Sequence, residues 1–243
     1  MRCCDLDGAG RFADRAELYA RARPSYPDAA VSFVLGDASR VIDAGAGTAI
    51  STRLLAAHGA RVTGFDPSVE MVLAARNPRL VLARAEALPF RDACADLVTS
   101  FNAFHWFQPE PFFEDAHRVL VPRGRLALVW NDWDRSDAFT REFVRLMRSK
   151  AAGYPPEDRE AECAPLYATK RFGNVEYRAF PNEHRLDLEH LRMRLQSMTY
   201  IPREGAEWDE LSRDLTRLFD RYADAGGFVT HHYKTTVFVA VRV

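Results

Sequence analysis

Short aliphatic and β-branched runs alternate with amphipathic runs through the first 132 residues of the chain. The short runs predict five strands, at residues 40–44, 61–66, 80–83, 96–100 and 126–130. Apolar residues recur at helical spacing in three of the intervening segments, which predicts helices at 51–57, 69–75 and 109–120. Strands that alternate with helices in this way are typical of a parallel sheet covered by helices.

The pattern changes after residue 133. Residues 134–168 are polar and predominantly helical, with a break at Pro155-Pro156 and no convincing strand. Beyond them the pattern predicts a strand at 175–180, helices at 186–197 and 207–222, and a final strand at 235–241. We interpret the helical parts as a cap on the sheet domain.

Composition narrows the class of partner. Lysine and arginine number 33 against 34 aspartates and glutamates, so no positive excess favours nucleic acid or anionic lipid, and we expect a small-molecule partner. No apolar run approaches the roughly twenty residues of a membrane span, and the first residues lack a secretory apolar stretch. We therefore expect a cytoplasmic protein without membrane contact, and the sequence leaves its oligomeric state open.

Cysteine and histidine spacing gives no sign of a metal. The four cysteines lack C-x-x-C spacing and the seven histidines lack an H-E-x-x-H pattern. Free thiols are expected at Cys3, Cys4, Cys94 and Cys163, with no metal ligands. His231 and His232 would point to opposite faces if they enter a strand.

The strongest local signal is a glycine turn at the end of the first predicted strand, in the run Val41-Ile-Asp-Ala-Gly-Ala-Gly-Thr48. Glycines there let a ligand approach the backbone, and amides at the following helix start bind carboxylates or phosphates. Asp66 ends the second strand nineteen residues after Gly47, where an acid binds ribose hydroxyls in Rossmann-like folds. A dinucleotide fingerprint would need a third glycine where Ile50 stands, which disfavours NAD.

Several motifs together resemble one family. Asp43-Ala-Gly-Ala-Gly-Thr48 resembles motif I of the class I S-adenosylmethionine-dependent methyltransferases, and Phe65-Asp-Pro-Ser68 resembles their motif II. Ala85-Glu-Ala-Leu-Pro-Phe90 is similar to their adenine-side loop. Ala103-Phe-His-Trp-Phe107 and the opening Tyr19 with Arg23-Pro-Ser-Tyr-Pro27 are similar to the methyltransferase type 11, or trans-aconitate methyltransferase-like, group.

The resemblance implies S-adenosyl-L-methionine as cofactor and assigns residues to its parts. Asp43, Gly45, Gly47 and Asn102 would lie at the methionine end, Asp66 at the ribose and Ala85 with Glu86 at the adenine, while Tyr19 and Arg23 would close over the cofactor. Ala46, Pro67 and Met71 would also contact the cofactor. His105 and Trp106 would face the transferred methyl group and the acceptor. His105 would act as a base toward a hydroxyl acceptor, or would orient a carboxylate, and both roles stay open.

Pattern and resemblance together predict one Rossmann-like α/β domain over residues 1–243, with a seven-stranded, mostly parallel sheet whose last strand is antiparallel and with helices on both faces. We expect an N-terminal lid and first helix at 1–38, a cofactor-binding core at 39–132, a helical cap at 133–171 and 186–230, and the last strands at 172–185 and 233–243.

Two residues depart from the family pattern. Ala49 stands where motif I usually has glycine, and Arg84 stands where many relatives carry aspartate. The alanine would cost about 1 kcal/mol or more if that position requires a positive φ. A non-catalytic cofactor-binding protein and an NAD-type oxidoreductase are the alternative functions.

Overall fold

The computed structural model describes residues 15–150 and 159–243. The expectations for Cys3, Cys4 and the Pro155-Pro156 break, and the start of the predicted N-terminal lid, lie outside the described residues.

A seven-stranded sheet organises the chain, in the order β3-β2-β1-β4-β5-β7-β6. The strands are β1 (Arg40–Ala44), β2 (Arg61–Asp66), β3 (Leu80–Leu82), β4 (Ala95–Phe101), β5 (Leu120–Trp133), β6 (Phe172–Leu186) and β7 (Val229–Arg242). β1 to β5 pair in parallel, and β7 is antiparallel to both of its neighbours. The predicted Rossmann-like sheet with an antiparallel last strand is confirmed.

Nine helices surround this sheet within the described ranges: α1 (Ala16–Ala22), α2 (Asp28–Leu35), α3 (Ile50–Ala57), α4 (Val69–Ala75), α5 (Pro109–Val119), α6 (Ala138–Lys150), α7 (Arg159–Ala168), α8 (Leu188–Gln196) and α9 (Gly205–Tyr222). Apolar residues of α5 and α7 join sheet residues in one core cluster, and those of α2 and α3 join sheet residues in another. Helices α6, α8 and α9 share a third cluster. The third cluster is the apolar centre of the predicted cap.

Three strands are longer than the sequence pattern predicts. β5 was expected at 126–130 and β7 at 235–241, but their pairing continues through Trp133 opposite Tyr233. β6 was expected at 175–180, but it pairs with β7 from Phe172 to Leu186. Backbone hydrogen bonds between strands do not require apolar side chains. The hydrophobic pattern therefore does not predict the paired residues at these polar strand ends. Within β7, His231 is fully buried and His232 is partly exposed, as the alternation predicts.

The strand order reverses between β1 and β4. Connections leave such a sheet in opposite directions at this point, so a crevice opens beyond the carboxyl ends of the two strands. In the described parts of the chain, no helix has the length and apolar character needed to cross a membrane.

Candidate functional site

A cavity of about 530 Å³ opens at the carboxyl ends of β1, β2 and β4. Eleven of the fourteen predicted site residues lie in its wall: Tyr19, Gly45, Ala46, Gly47, Asp66, Pro67, Met71, Ala85, Glu86, Asn102 and Trp106. Arg23, Asp43 and His105 are not among the lining residues. The topology therefore brings most of the predicted set together at the crevice.

The glycine turn after β1 needs its glycines for two different reasons. Both have positive φ, 67° at Gly45 and 53° at Gly47. A Cβ on Gly45 would lie 2.5 Å from the Cβ of Ala103, so the first glycine lets the turn pack against the loop after β4. A Cβ on Gly47 would meet nothing within 4 Å. Gly47 therefore leaves open space at the cavity wall, which suits a ligand that approaches the backbone.

Ala49 shares this left-handed conformation. It is fully buried at the start of α3, with φ of 63° and ψ of 32°. A residue with a side chain pays roughly 1–2 kcal/mol for that conformation. The departure from the family pattern therefore does strain the turn, although the turn keeps its shape.

Asp43, which the resemblance assigned to the methionine end, is not among the residues that line the cavity. The side chain is fully buried, and Oδ2 accepts hydrogen bonds from the hydroxyls of Ser51 (2.6 Å) and Thr52 (2.7 Å). Oδ1 accepts one from Thr99 (2.9 Å). Burial raises the pKa of Asp43, and the three hydroxyl donors oppose that rise. The carboxylate thereby ties β1 to α3 and β4 and fixes the turn above it.

Asp66 connects the end of β2 to the glycine turn. Its Oδ2 accepts from the backbone N–H of Gly47 and its Oδ1 from that of Ser68, both at 2.9 Å. Burial raises the pKa of Asp66, and these two backbone donors oppose the rise. A carboxylate can accept about four hydrogen bonds, so each oxygen keeps a lone pair for a further donor from the cavity. A vicinal diol such as a ribose supplies two such donors.

Asn102, at the end of β4, joins the N-terminal segment to the sheet. It has a positive φ of 51°, its Nδ2 donates to the hydroxyl of Tyr26 (3.1 Å), and its Oδ1 accepts from the N–H of Asn131 (3.2 Å). The carbonyl of Ser25 accepts from the amides of Asn131 (3.1 Å) and Asn182 (2.9 Å). The segment before α2 is therefore fastened across the sheet end.

Sequence reasoning did not select Tyr26, Asn131 or Asn182 as site residues. Tyr26 falls inside a quoted motif, but the contact of Asn102 with Tyr26 joins residues 76 positions apart. No spacing rule covers such a distance. Only the sheet topology shows that these side chains meet.

His105 lies in a short 3-10 turn, Phe104–Trp106, immediately after β4. Its Nδ1 is 3.4 Å from the Nε1 of Trp130. An indole N–H can only donate, so Nδ1 is unprotonated in this contact and a neutral ring carries its proton on Nε2. His105 is exposed to solvent. Partial desolvation by the surrounding protein lowers its pKa, and the positive charges of Arg159 and Arg23 lower it further.

Arg23 is not among the residues that line the cavity. Its guanidinium lies 4.3 Å from the ring centroid of Tyr19, and Tyr19 is the residue that lines the cavity. Burial and the neighbouring charge of Arg194 lower the pKa of Arg23.

A second cavity, of about 1270 Å³, lies among β5, β6, β7 and α7. Arg159 and Asp132 line it and form an ion pair at 2.6 Å. The guanidinium of Arg159 also lies 5.0 Å from the ring centroid of Trp130, the hydrogen-bond partner of His105. His105 and Trp130 therefore connect the residues that line the two cavities.

Metal and thiol chemistry find little support in the described part of the chain. No group of three or more His, Cys, Asp or Glu residues there is arranged to hold a metal ion. The thiols of Cys94 and Cys163 are free, and burial raises the pKa of Cys163 to about 12, which keeps it unreactive.

Comparison with known proteins gives a consistent family. The sequence profile of a methyltransferase domain matches residues 42–128, which contain the glycine turn, Asp66, Asn102 and His105. The chain is 37% identical over 176 residues to an uncharacterized methyltransferase of Mycobacterium tuberculosis, covering 70% of this chain and 72% of that one. It is 30% identical over 218 residues to an uncharacterized methyltransferase-like protein of Schizosaccharomyces pombe, covering 82% and 85%.

A similar structure is that of a protein from Anaeromyxobacter dehalogenans, provisionally described as a type II methyltransferase. It superposes with a TM-score of 0.65 at 23% identity and covers 90% of this chain and 96% of that one. That likeness supports the fold, and the relatives of higher identity support the family. The open space at Gly47 and the free lone pairs of Asp66 fit the amino-acid and ribose parts of the family's cofactor. The chain belongs to the class I S-adenosylmethionine-dependent methyltransferases.

Proposed function

We propose that the protein transfers a methyl group from S-adenosylmethionine to a small-molecule acceptor held beside His105 and Trp106. The observation that carries this proposal is that Trp106 lines the first cavity while its neighbour His105 contacts Trp130, whose ring lies against Arg159 of the second cavity. Trp106 lines the first cavity with 45% of its surface exposed, and its ring centroid is 5.1 Å from that of His105. An acceptor there would sit against the methionine end of the first cavity.

Within the first cavity, we assign the ribose to Asp66, the methionine end to the turn from Gly45 to Gly47, and the adenine to Ala85 and Glu86. Glu86 is held in place because its Oε1 accepts from the N–H of Gln108 at 3.1 Å. Bound S-adenosylmethionine supplies a methyl carbon that is already strongly electrophilic. The protein therefore has chiefly to align the acceptor and exclude water.

The tautomer of His105 favours one of its two candidate roles. A general base needs an unprotonated nitrogen facing the acceptor, but the lone pair of Nδ1 accepts from Trp130, so a neutral ring carries its proton on Nε2. Nε2–H then donates a hydrogen bond to an acceptor oxygen and orients it. An oxygen that is already anionic, as in a carboxylate, needs no base. The contact thus favours a carboxylate acceptor over a hydroxyl.

Calorimetric titration with S-adenosylmethionine and with NAD tests the cofactor assignment. We expect S-adenosylmethionine to bind and NAD to give no heat. Asp66→Ala removes the acceptor of two hydroxyl hydrogen bonds, each worth about 1 kcal/mol, so affinity should fall roughly thirtyfold. Asp28→Ala is the matched control, because that side chain is 87% exposed and is not part of the cavity wall. NAD heat would favour the oxidoreductase alternative.

Product formation tests catalysis separately. The wild-type protein is mixed with S-adenosylmethionine and either small carboxylic acids or the corresponding alcohols, and released S-adenosylhomocysteine is measured. We expect release with carboxylic acids only. Tight cofactor binding without release from any acceptor would favour the non-catalytic alternative, and release with alcohols only would refute the orienting role of His105.

A further inference from the structure

Two arginines lie close together behind Tyr19, where the end of α1 approaches α8 and β7. Arg194 is only 4% exposed, and its Nε and Nη1 atoms are buried without a hydrogen-bond partner. The Nε of Arg23 is buried and unpartnered as well. Among the residues that the structure describes, neither guanidinium forms an ion pair with a carboxylate, and each is the other's charged neighbour.

Other polar atoms in the same place also lack partners. Both ring nitrogens of His231 are buried without a hydrogen bond, and the ring lies 4.3 Å from that of Phe143. The hydroxyl of Tyr233, a residue that is 2% exposed, is buried beside Arg194 with no well-formed hydrogen bond. The guanidinium of Arg194 lies 5.2 Å from the ring centroid of Trp133. Unused donors and positive charge are thus enclosed by aromatic rings.

An uncompensated arrangement of this kind is costly for a folded protein. A buried charge is normally paired, and two like charges next to each other raise the cost further. A bound anion would remove both penalties at once, because the planar guanidinium fork matches a carboxylate with two parallel hydrogen bonds. The cluster therefore has the composition of an anion-binding site.

The cluster adjoins the methyl-transfer site. Arg23 stacks on Tyr19, which lines the cofactor cavity, and the charge of Arg23 also reaches His105. An anion held by both arginines would therefore lie next to the end of the cavity where His105 and Trp106 stand.

We propose that Arg194, together with Arg23, binds a carboxylate group of the methyl acceptor. This proposal rests on the proposed function, since it names the chemical class of the molecule that is methylated. It assigns Arg194 to substrate recognition, with the hydroxyl of Tyr233 as an additional donor. The competing occupant is the carboxylate of S-adenosylmethionine itself.

The test compares Arg194→Met and Arg194→Lys with Arg192→Met, a control on the same helix whose guanidinium donates to Thr216 at 2.9 Å. Thermal unfolding is followed with S-adenosylhomocysteine present while succinate, benzoate or inorganic phosphate is added. We expect carboxylates to raise the melting temperature of the wild type and the control. Arg194→Met should lose that rise, with apparent carboxylate affinity at least tenfold lower, and Arg194→Lys should keep part of it.

Two further readouts separate the outcomes. Without added anion, Arg194→Met should melt at or above the wild-type temperature, because it removes an unpaired buried charge; this also shows that the variant folds. Calorimetry should find its affinity for S-adenosylmethionine within twofold of wild type. If Arg194→Met lost cofactor affinity and carboxylate affinity equally, the cluster would bind the cofactor and the proposal would be overturned. The proposal would also be overturned if no anion raised the melting temperature of the wild type. Failure of the proposed function appears separately, as absent cofactor binding by the wild type.

Discussion

The two glycines of the turn after β1 offer a matched pair of substitutions. Gly45→Ala and Gly47→Ala each place a methyl group on a residue of positive φ, 67° and 53° respectively. The left-handed backbone costs about 1–2 kcal/mol for alanine. Reduced freedom of the unfolded chain returns about 0.4–1 kcal/mol. The backbone contribution is therefore roughly 1 kcal/mol or less, and it is similar for both variants.

The two variants should differ in stability because the atoms around Gly45 and Gly47 differ. The new methyl on Gly45 would lie 2.5 Å from the Cβ of Ala103 and 3.0 Å from a ring carbon of Phe107, whereas that on Gly47 would contact nothing within 4 Å. Overpacking of a buried site costs about 1–3 kcal/mol. Gly45→Ala should therefore be less stable than Gly47→Ala by about 2 kcal/mol, which corresponds to a melting temperature roughly 4–8 °C lower.

Cofactor binding should show the opposite order. The methyl on Gly47 would occupy open space at the cavity wall, so it should lower S-adenosylmethionine affinity at least tenfold while leaving the fold nearly intact. Denaturant unfolding gives the stability difference, and calorimetry gives the affinity. Equal stabilities for the two variants would refute the packing argument. Wild-type affinity in Gly47→Ala would show that the cofactor does not approach this residue.

Three further outcomes follow from the geometry. Ala93→Gly relieves a positive φ of 48° at an exposed site and should stabilise the folded protein by about 0.5–1 kcal/mol. Ala49→Gly should stabilise it less, because the buried methyl group that is removed contributes about 0.8 kcal/mol. Denaturant unfolding measures both changes, and equal stabilisation by the two variants would contradict this reasoning. Hydrogen bonds from Arg40 hold the pKa of Asp96 below its ordinary value, so its stabilisation is present above about pH 4 and is lost as pH falls further. Asp96→Asn should therefore cost about 1–2 kcal/mol at pH 7 and progressively less at lower pH, and a pH-independent difference would be evidence against the pairing. Nitrogen NMR should find the proton of neutral His105 on Nε2 and a tautomer mixture in Trp130→Phe; a proton on Nδ1 in the wild type would exclude the orienting role.

Much of the cofactor side could be predicted from the sequence because it depends on local patterns. The turn from Gly45 to Gly47 and the acid at Asp66 each follow a strand directly, and parallel strands bring their carboxyl ends to one edge. Residues on one strand end therefore meet residues on the next without knowledge of the rest of the fold. Asn102, which the resemblance assigned to the methionine end, follows the end of β4 and lines the same cavity.

The acceptor side could not be predicted in this way. The proposed anion site combines Arg23 and Arg194, which come from opposite ends of the chain and carry no motif in common. The cap contains many arginines, and nothing in the sequence sets Arg194 apart from them. Its burial, with Nε and Nη1 unpartnered, is what distinguishes it in the structure. Asp43 shows the converse limit, because a motif residue proved to act through Ser51, Thr52 and Thr99 beneath the cavity.

Two unfavourable features of the fold lie close to the proposed binding sites. Ala49, beside the glycine turn, has a left-handed backbone, and Arg194 is a buried charge whose Nε and Nη1 lack hydrogen-bond partners. Each lowers the stability of the free protein by roughly 1 kcal/mol or more. Strain of this kind persists when the surrounding structure enforces it, and it commonly marks positions that serve a ligand. Ligands that relieve the buried charge should therefore stabilise this protein more than their contact area alone would suggest, since binding also removes a penalty already present in the fold.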